Sequence, residues 1–189
     1  MSLDLDQRSG WPAPLRVLLD RHPRESWPGR RAADVQFWLE IHDHFRHDCI
    51  ALETLAGDYS EGRRSPQELA VLAASRLRRM VSNLHGHHQV EDFHYFPAFR
   101  TAESRLASGF DVLEHDHAEL QKNVAAAVTA IRELRGAVER RVTPGDGDSA
   151  ALAARQYVGA AGGLCRRLIR HLSDEEDLVI PLLIERGDY

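Results

Sequence analysis

The chain has 189 residues, 43% hydrophobic and 28% charged, with a formal charge of -5, which is the size and make-up of one ordinary globular domain carrying an arm. That balance argues against a general nucleic-acid binder, and no run approaches the roughly 18 apolar residues of a membrane span. The start, "MSLDLDQRSGW", has acids where a signal peptide has bases, and Cys49 and Cys165 lie far apart without CxxC spacing, so reduced thiols in the cytoplasm are expected.

Residues 1–33 hold Trp11-Pro12, Pro14, Pro23 and Trp27-Pro28-Gly29, punctuation that forbids a long helix and predicts an irregular arm packed on the surface. From Asp34 the pattern turns helical. Val35, Trp38, His42, Phe45, Cys49, Leu52 and Ala56 alternate in steps of three and four, predicting a first helix that ends near Gly57. Ser65-Pro66 followed by Glu68 reads as N-cap, proline at the first helical position and an early acid. A second stripe then runs through Leu77, Met80, Leu84, His87, Glu91 and His94, with Pro97 expected at or in the last turn.

The third helix is expected near Gly109, with Phe110, Leu113, His117, Leu120, Val124, Ala127, Ile131, Leu134 and Val138 on one face. "TPGDGD" at 143–148 reads as the clearest loop, and Asp148 or Ser149 as the cap of a fourth helix. Its stripe is Ala161, Leu164, Leu168, His171, Glu175, Leu178 and Leu182, with Pro181 marking its end. No strand-like alternation occurs, so the expected fold is all-α: an up-down-up-down four-helix bundle over 34–189 behind the 1–33 arm.

Histidine is the anomaly: the chain has eleven, mostly clustered at 42–47 and 85–94, with a pair at 115 and 117. "LHGHHQVEDFHYFP" and "LIRHLSDEEDLVIP" align without a gap, so the sequence reads as two helical hairpins, each with a lone His (His42, His117) and an HxxxE (His87/Glu91, His171/Glu175). Residues four apart share a helix face, so each HxxxE aims two donors at one place. Counted from the expected helix ends, all four elements lie roughly 12 to 15 Å from one end of the bundle, at about 1.5 Å per residue. Burying such a set without partners costs several kcal/mol per ionised group, and a cation removes the cost. Imidazoles and carboxylates suit iron, manganese or zinc, and paired carboxylates suit a bridged pair of metals about 3.5 to 4 Å apart.

His42, the 87-HHQVED-92 run before Pro97, Asp116-His117 and the 171-HLSDEE-176 run before Pro181 resemble the hemerythrin-like, or HHE cation-binding, family over residues 34–185. The resemblance implies a non-haem di-iron centre, oxo- or hydroxo-bridged, that meets dioxygen, nitric oxide or peroxide. By position, His42, His87, His117 and His171 would be terminal ligands, and Glu91 and Glu175 would bridge. Oxygen-carrying hemerythrins have a second histidine one turn after the first on helix three, where this chain has Gln121; His88 is the candidate for the fifth nitrogen, with His115 a weaker one.

Tyr95, one turn past Glu91, either donates to that carboxylate or packs, and Asp92 and Glu176 are expected to be solvated. The "RLRR" and "CRRLIR" runs read as solvated faces, and His22, His44, His47, His85 and His94, off or at the flank of the stripes, are expected to be solvated or to support the ligands from behind. Three functions follow. The leading one is a binding or sensing protein for dioxygen or a related small molecule. The alternatives are a di-iron enzyme acting on peroxide or nitric oxide, and a partner-binding module with a structural metal and a Trp-rich contact arm.

Overall fold

A computed structural model describes residues 3–27, 33–140 and 147–186. Among these residues the chain is all-α, with no strand: α1 is Ala33–Ser60, α2 Pro66–Val90, α3 Phe96–Ala102, α4 Ala107–Glu139 and α5 Gly147–Arg186. The packing is that of a helical bundle, and two compact units can be distinguished in it.

The helices start and stop largely for local reasons. Ser65 and Glu68 form a reciprocal capping box: the Ser65 N–H donates to Glu68 Oε2 at 2.8 Å, and the Glu68 N–H donates to Ser65 Oγ. α1 runs to Ser60, three residues beyond the expected end at Gly57, and the chain turns at Gly62, whose φ of 75° is open only to glycine without strain. α5 begins at Gly147, so Asp148 and Ser149 sit inside its first turn rather than capping it; residues 143–146 of the expected loop lie outside the described residues, as do Pro28 and Gly29.

Both prolines expected to end helices lie inside them. α2 passes through a π turn at Glu91–Tyr95 straight into α3, which runs five residues past Pro97 to end at Ala102. Within the turn the Phe96 N–H donates to the Glu91 carbonyl, five residues back. A proline clashes with the carbonyl four residues behind it, and the wider π turn relieves that clash. The extra residue also rotates the helix, so His94, expected on the stripe, is exposed, while Phe96 and Phe99 take the buried positions. Pro181 likewise lies within α5, five residues before its end at Arg186.

The first unit comprises Met1–His44, Gly86–Ala118 and Arg167–Tyr189. Its core joins the arm's Trp11, Leu15, Leu18 and Trp27 to Trp38, Phe96, Phe99, Phe110 and the α5 run Leu178–Leu183. The arm's contribution explains a feature of α5. Between His171 and Leu183 nearly every side chain is buried, on both faces, because the bundle covers one side and the arm the other. The arm is anchored on that outer face by polar contacts: the Trp11 indole N–H donates to the Asp174 carbonyl at 2.7 Å, and Arg21 and His22 pair with Glu185.

The second unit comprises Phe45–His85 and Glu119–Arg166. The expected stripe residues fill its core, Leu52, Leu77, Met80, Leu120, Ala127 and Leu164 among them. Cys49 and Cys165 are buried free thiols, the Cys165 sulfur 4.0 Å from the Cys49 carbonyl oxygen, and serve as small core residues. No helix among the described residues is long and apolar enough to cross a membrane.

Candidate metal centre

All seven expected site residues come together in the first unit, and they sort into two groups of donors. His88, His117 and His171 form one; His42, His87, Glu91 and Glu175 form the other, the donor atoms of each group lying within 4.8 Å of one another. α1 supplies His42, the α2 end and its π turn supply His87, His88 and Glu91, α4 supplies His117, and α5 supplies His171 and Glu175.

The two carboxylates face both groups at once. Glu91 Oε1 lies 3.0 Å from His87 Nε2, and its Oε2 lies 3.6 Å from His117 Nε2. Glu175 Oε1 lies 3.4 Å from His42 Nε2, and its Oε2 lies 3.5 Å from His171 Nε2. Each therefore turns one oxygen to the three-histidine group and the other to the two-histidine group. The Trp38 indole N–H donates to Glu175 Oε1 at 2.8 Å and fixes that side chain's rotation.

Outward-facing ring nitrogens are held by a further set of acids. His42 Nδ1 donates to Glu176 Oε1 at 3.0 Å and His117 Nδ1 to Asp92 Oδ1 at 2.7 Å, while His171 Nδ1 faces Asp116 Oδ2 at 3.5 Å. A carboxylate only accepts, so the ring proton sits on Nδ1 and the Nε2 lone pair points inward. His117 Nε2 and His171 Nε2 then approach to 3.0 Å, an arrangement of lone pairs that a shared cation satisfies. Asp92 and Glu176 are thus not solvated: one is half-buried and the other buried, each holding a histidine.

Inside the centre, His42 Nε2, both His88 nitrogens, both Glu91 oxygens and Glu175 Oε2 are buried with no hydrogen bond. Leaving such atoms unmet costs about 1 to 3 kcal/mol each. The ionisation pattern tells the same story. Burial pushes the His87 imidazolium down to about 3, helped by the neighbouring His42, His117 and His171, and lowers His88 well below its ordinary range. Burial opposes charge on His42 too, yet Glu175 and Glu176 raise it to about 9. Burial and the charge of Glu175 hold the Glu91 proton on well above the carboxylate range, while Glu175, despite its burial, is kept ionised by His42. The neutral His87 and His88 imidazoles beside the ionised Glu175 are what a divalent cation binds, and its binding displaces the inner proton of His42 and the proton on Glu91.

His88 lies in the three-histidine group, its ring stacked on His117 with centroids 3.8 Å apart and planes 10° from parallel. Gln121 and His115 are exposed and belong to neither donor group, as is the case for His44, His47, His85 and His94; His22 is half-buried against Glu185. Tyr95 packs edge-on against Trp38 at 4.9 Å and stacks on Phe99. Sequence reasoning missed Arg8, Arg24, Asp116 and Asp174 as partners of the centre. Asp116 and Asp174 carried a signal, since they lie in motifs already singled out; Arg8 and Arg24 meet the centre through contacts across more than 100 residues, which no periodicity encodes.

Fold and donor set together define a helical bundle that binds metal cations through imidazole and carboxylate. The family model of the hemerythrin HHE cation binding domain matches residues 33–183, and the chain belongs to that family. Comparisons with curated proteins and with solved structures return no match.

Proposed function

We propose that the chain is a non-haem di-iron protein that binds or senses dioxygen or a related small molecule such as nitric oxide or peroxide. One iron is held by His88, His117 and His171, the other by His42 and His87, and Glu91 and Glu175 bridge them. The observation that carries this reading is the split of each carboxylate between the two donor groups. A single metal would draw both oxygens, or one, to one side.

His88, His117 and His171 with one oxygen of each carboxylate would hold one iron, and His42 and His87 with the other two oxygens would hold the second, a donor set that would not fill two six-coordinate ions. Bound there, ferrous iron supplies one-electron redox chemistry and an exchangeable position for a diatomic or peroxide. The protein's part is to hold the imidazoles by their Nδ1–H bonds, fix Glu175 through Trp38 and exclude water with the Phe96, Phe99 and Phe110 rings. The partner-binding reading is the weaker one because Trp11 and Trp27 are buried in the core and present no face to a partner.

The test is iron content after anaerobic loading, with optical spectra before and after oxygen. A pair of irons per chain and the ferric absorption of a bridged pair on oxidation are expected. A content well below a pair, or a ferric spectrum of isolated ions, overturns the proposal.

A further inference from the structure

The acids that hold the centre's histidines are themselves held from outside, by arginines of the N-terminal arm. Glu176 divides its oxygens: Oε1 accepts from His42 Nδ1, and Oε2 accepts from Arg24 Nη1 at 3.2 Å. Arg24 is fixed in turn by Asp177 Oδ1 at 2.7 Å and by the Ser173 carbonyl at 2.6 Å, with its guanidinium over the Trp27 ring. On the other side, Arg8 donates from Nη2 to Asp116 Oδ2, the oxygen that faces His171 Nδ1, and from Nε to Asp174 Oδ2 at 2.8 Å. Its remaining donor meets the Leu3 carbonyl at 2.7 Å, and the guanidinium lies over the Trp11 ring. The side chain of Arg8 is fully buried.

We propose that the arm is a positioning element of the metal centre, with Arg8 acting through Asp116 on His171 and Arg24 acting through Glu176 on His42, one arginine for each donor group. This rests on the metal-binding reading given above. A carboxylate that accepts from Nδ1–H makes the imidazole a stronger donor at Nε2 and fixes its ring plane. An arginine on the same carboxylate fixes the acid and draws back part of its charge. Both effects reach the metal through the ring, so the arm sets ligand geometry and donor strength without touching the centre. His42 and His171 belong to different groups, so the two arginines act on different metals.

The experiment uses the full chain with cobalt(II) as the probe, reading affinity by chelator competition and ligand geometry by the visible spectrum. Arg24 is the primary position because its side chain is 42% exposed, so its replacement opens no cavity in the core. Arg24→Gln is expected to weaken one cobalt-binding step about 10- to 100-fold and to shift its absorption, with Arg24→Lys restoring most of both. Arg21→Gln removes another arm contact, one of the two to Glu185, and is expected to leave both readouts unchanged. Arg8→Lys keeps the buried charge but loses the fork spanning Asp116 and Asp174, and is expected to weaken the other binding step. The proposal is overturned if Arg24→Gln matches the unmodified chain, if Arg21→Gln reproduces its effect, or if the Arg8 and Arg24 variants weaken the same step. Failure of the unmodified chain to take up cobalt overturns the metal-binding reading and this proposal with it.

Discussion

His88→Leu separates what the centre costs from what it binds. His88 is 3% exposed, and neither ring nitrogen makes a hydrogen bond. Leucine is close to histidine in volume and carries no polar atom, so the substitution relieves a penalty of about 1 to 3 kcal/mol in the metal-free protein. It also gives up the stack on His117, worth about 0.5 to 1.5 kcal/mol, part of which the leucine methyls keep as contact. The net is a gain of about 1 to 2 kcal/mol. At roughly 2 to 4 °C per kcal/mol for a chain of this length, the metal-free Tm rises by about 2 to 8 °C. In the iron-loaded protein the order reverses, because one of three imidazoles in its group is gone and with it the stabilisation from occupancy, about 2.7 kcal/mol where free iron is a hundredfold above Kd. The assay is thermal unfolding of chelated and iron-loaded protein, with iron content measured on the same samples. A metal-free His88→Leu that unfolds at a lower temperature than the unmodified chain, or a loaded one that keeps its full iron, refutes the reasoning.

Further outcomes follow from particular contacts. Trp38→Phe removes the buried donor to Glu175 and is expected to cost about 1.5 to 3 kcal/mol in urea unfolding, since the lost bond was to an ionised acceptor. Leu18→Ala, in the arm and 1% exposed, is expected to cost about 2 to 5 kcal/mol; a change near zero in the same assay would mean that the arm contributes no core. Glu103, bonded chiefly by Arg105 and also by Arg186, is lowered from the ordinary 4.5 to about 2. Its folded pKa lies below its unfolded one, so its contribution is fully present above about pH 4.5 and is lost as pH falls towards 2. Urea midpoints of the unmodified chain and Glu103→Gln should therefore differ at pH 6 and converge towards pH 2, with a constant gap arguing against the assignment.

The helices and the inner donors were legible because both rest on period. Val35 to Ala56 in α1 and Ala161 to Leu182 in α5 show their buried faces in steps of three and four, and each HxxxE uses the same spacing. What was not legible depends on covering by distant chain. Asp92 and Glu176 each follow a carboxylate of the centre and so point around the helix, which reads as outward until α4 and the arm are in place. Pro97 reads as a stop because a regular α-helix has no room for its ring; the π turn that makes room has no local signature of its own. One signal was present and unused: "LVIPLLI" at 178–184 is apolar on all sides, which a helix with a single packed face does not need.

The edge of family similarity and the edge of the folded unit are different places in this chain. The matched span opens at residue 33, whereas the side chains that close the outer face of α5 come from residues 5–27. A chain trimmed to the match would keep every inward-facing donor and still lose the arm's share of the core around the α5 run Leu178–Leu183, with Asp116 and Asp174 stripped of their shared counter-ion. Such a fragment would retain the residues by which relatives are recognised while losing the ones that make this copy hold its shape.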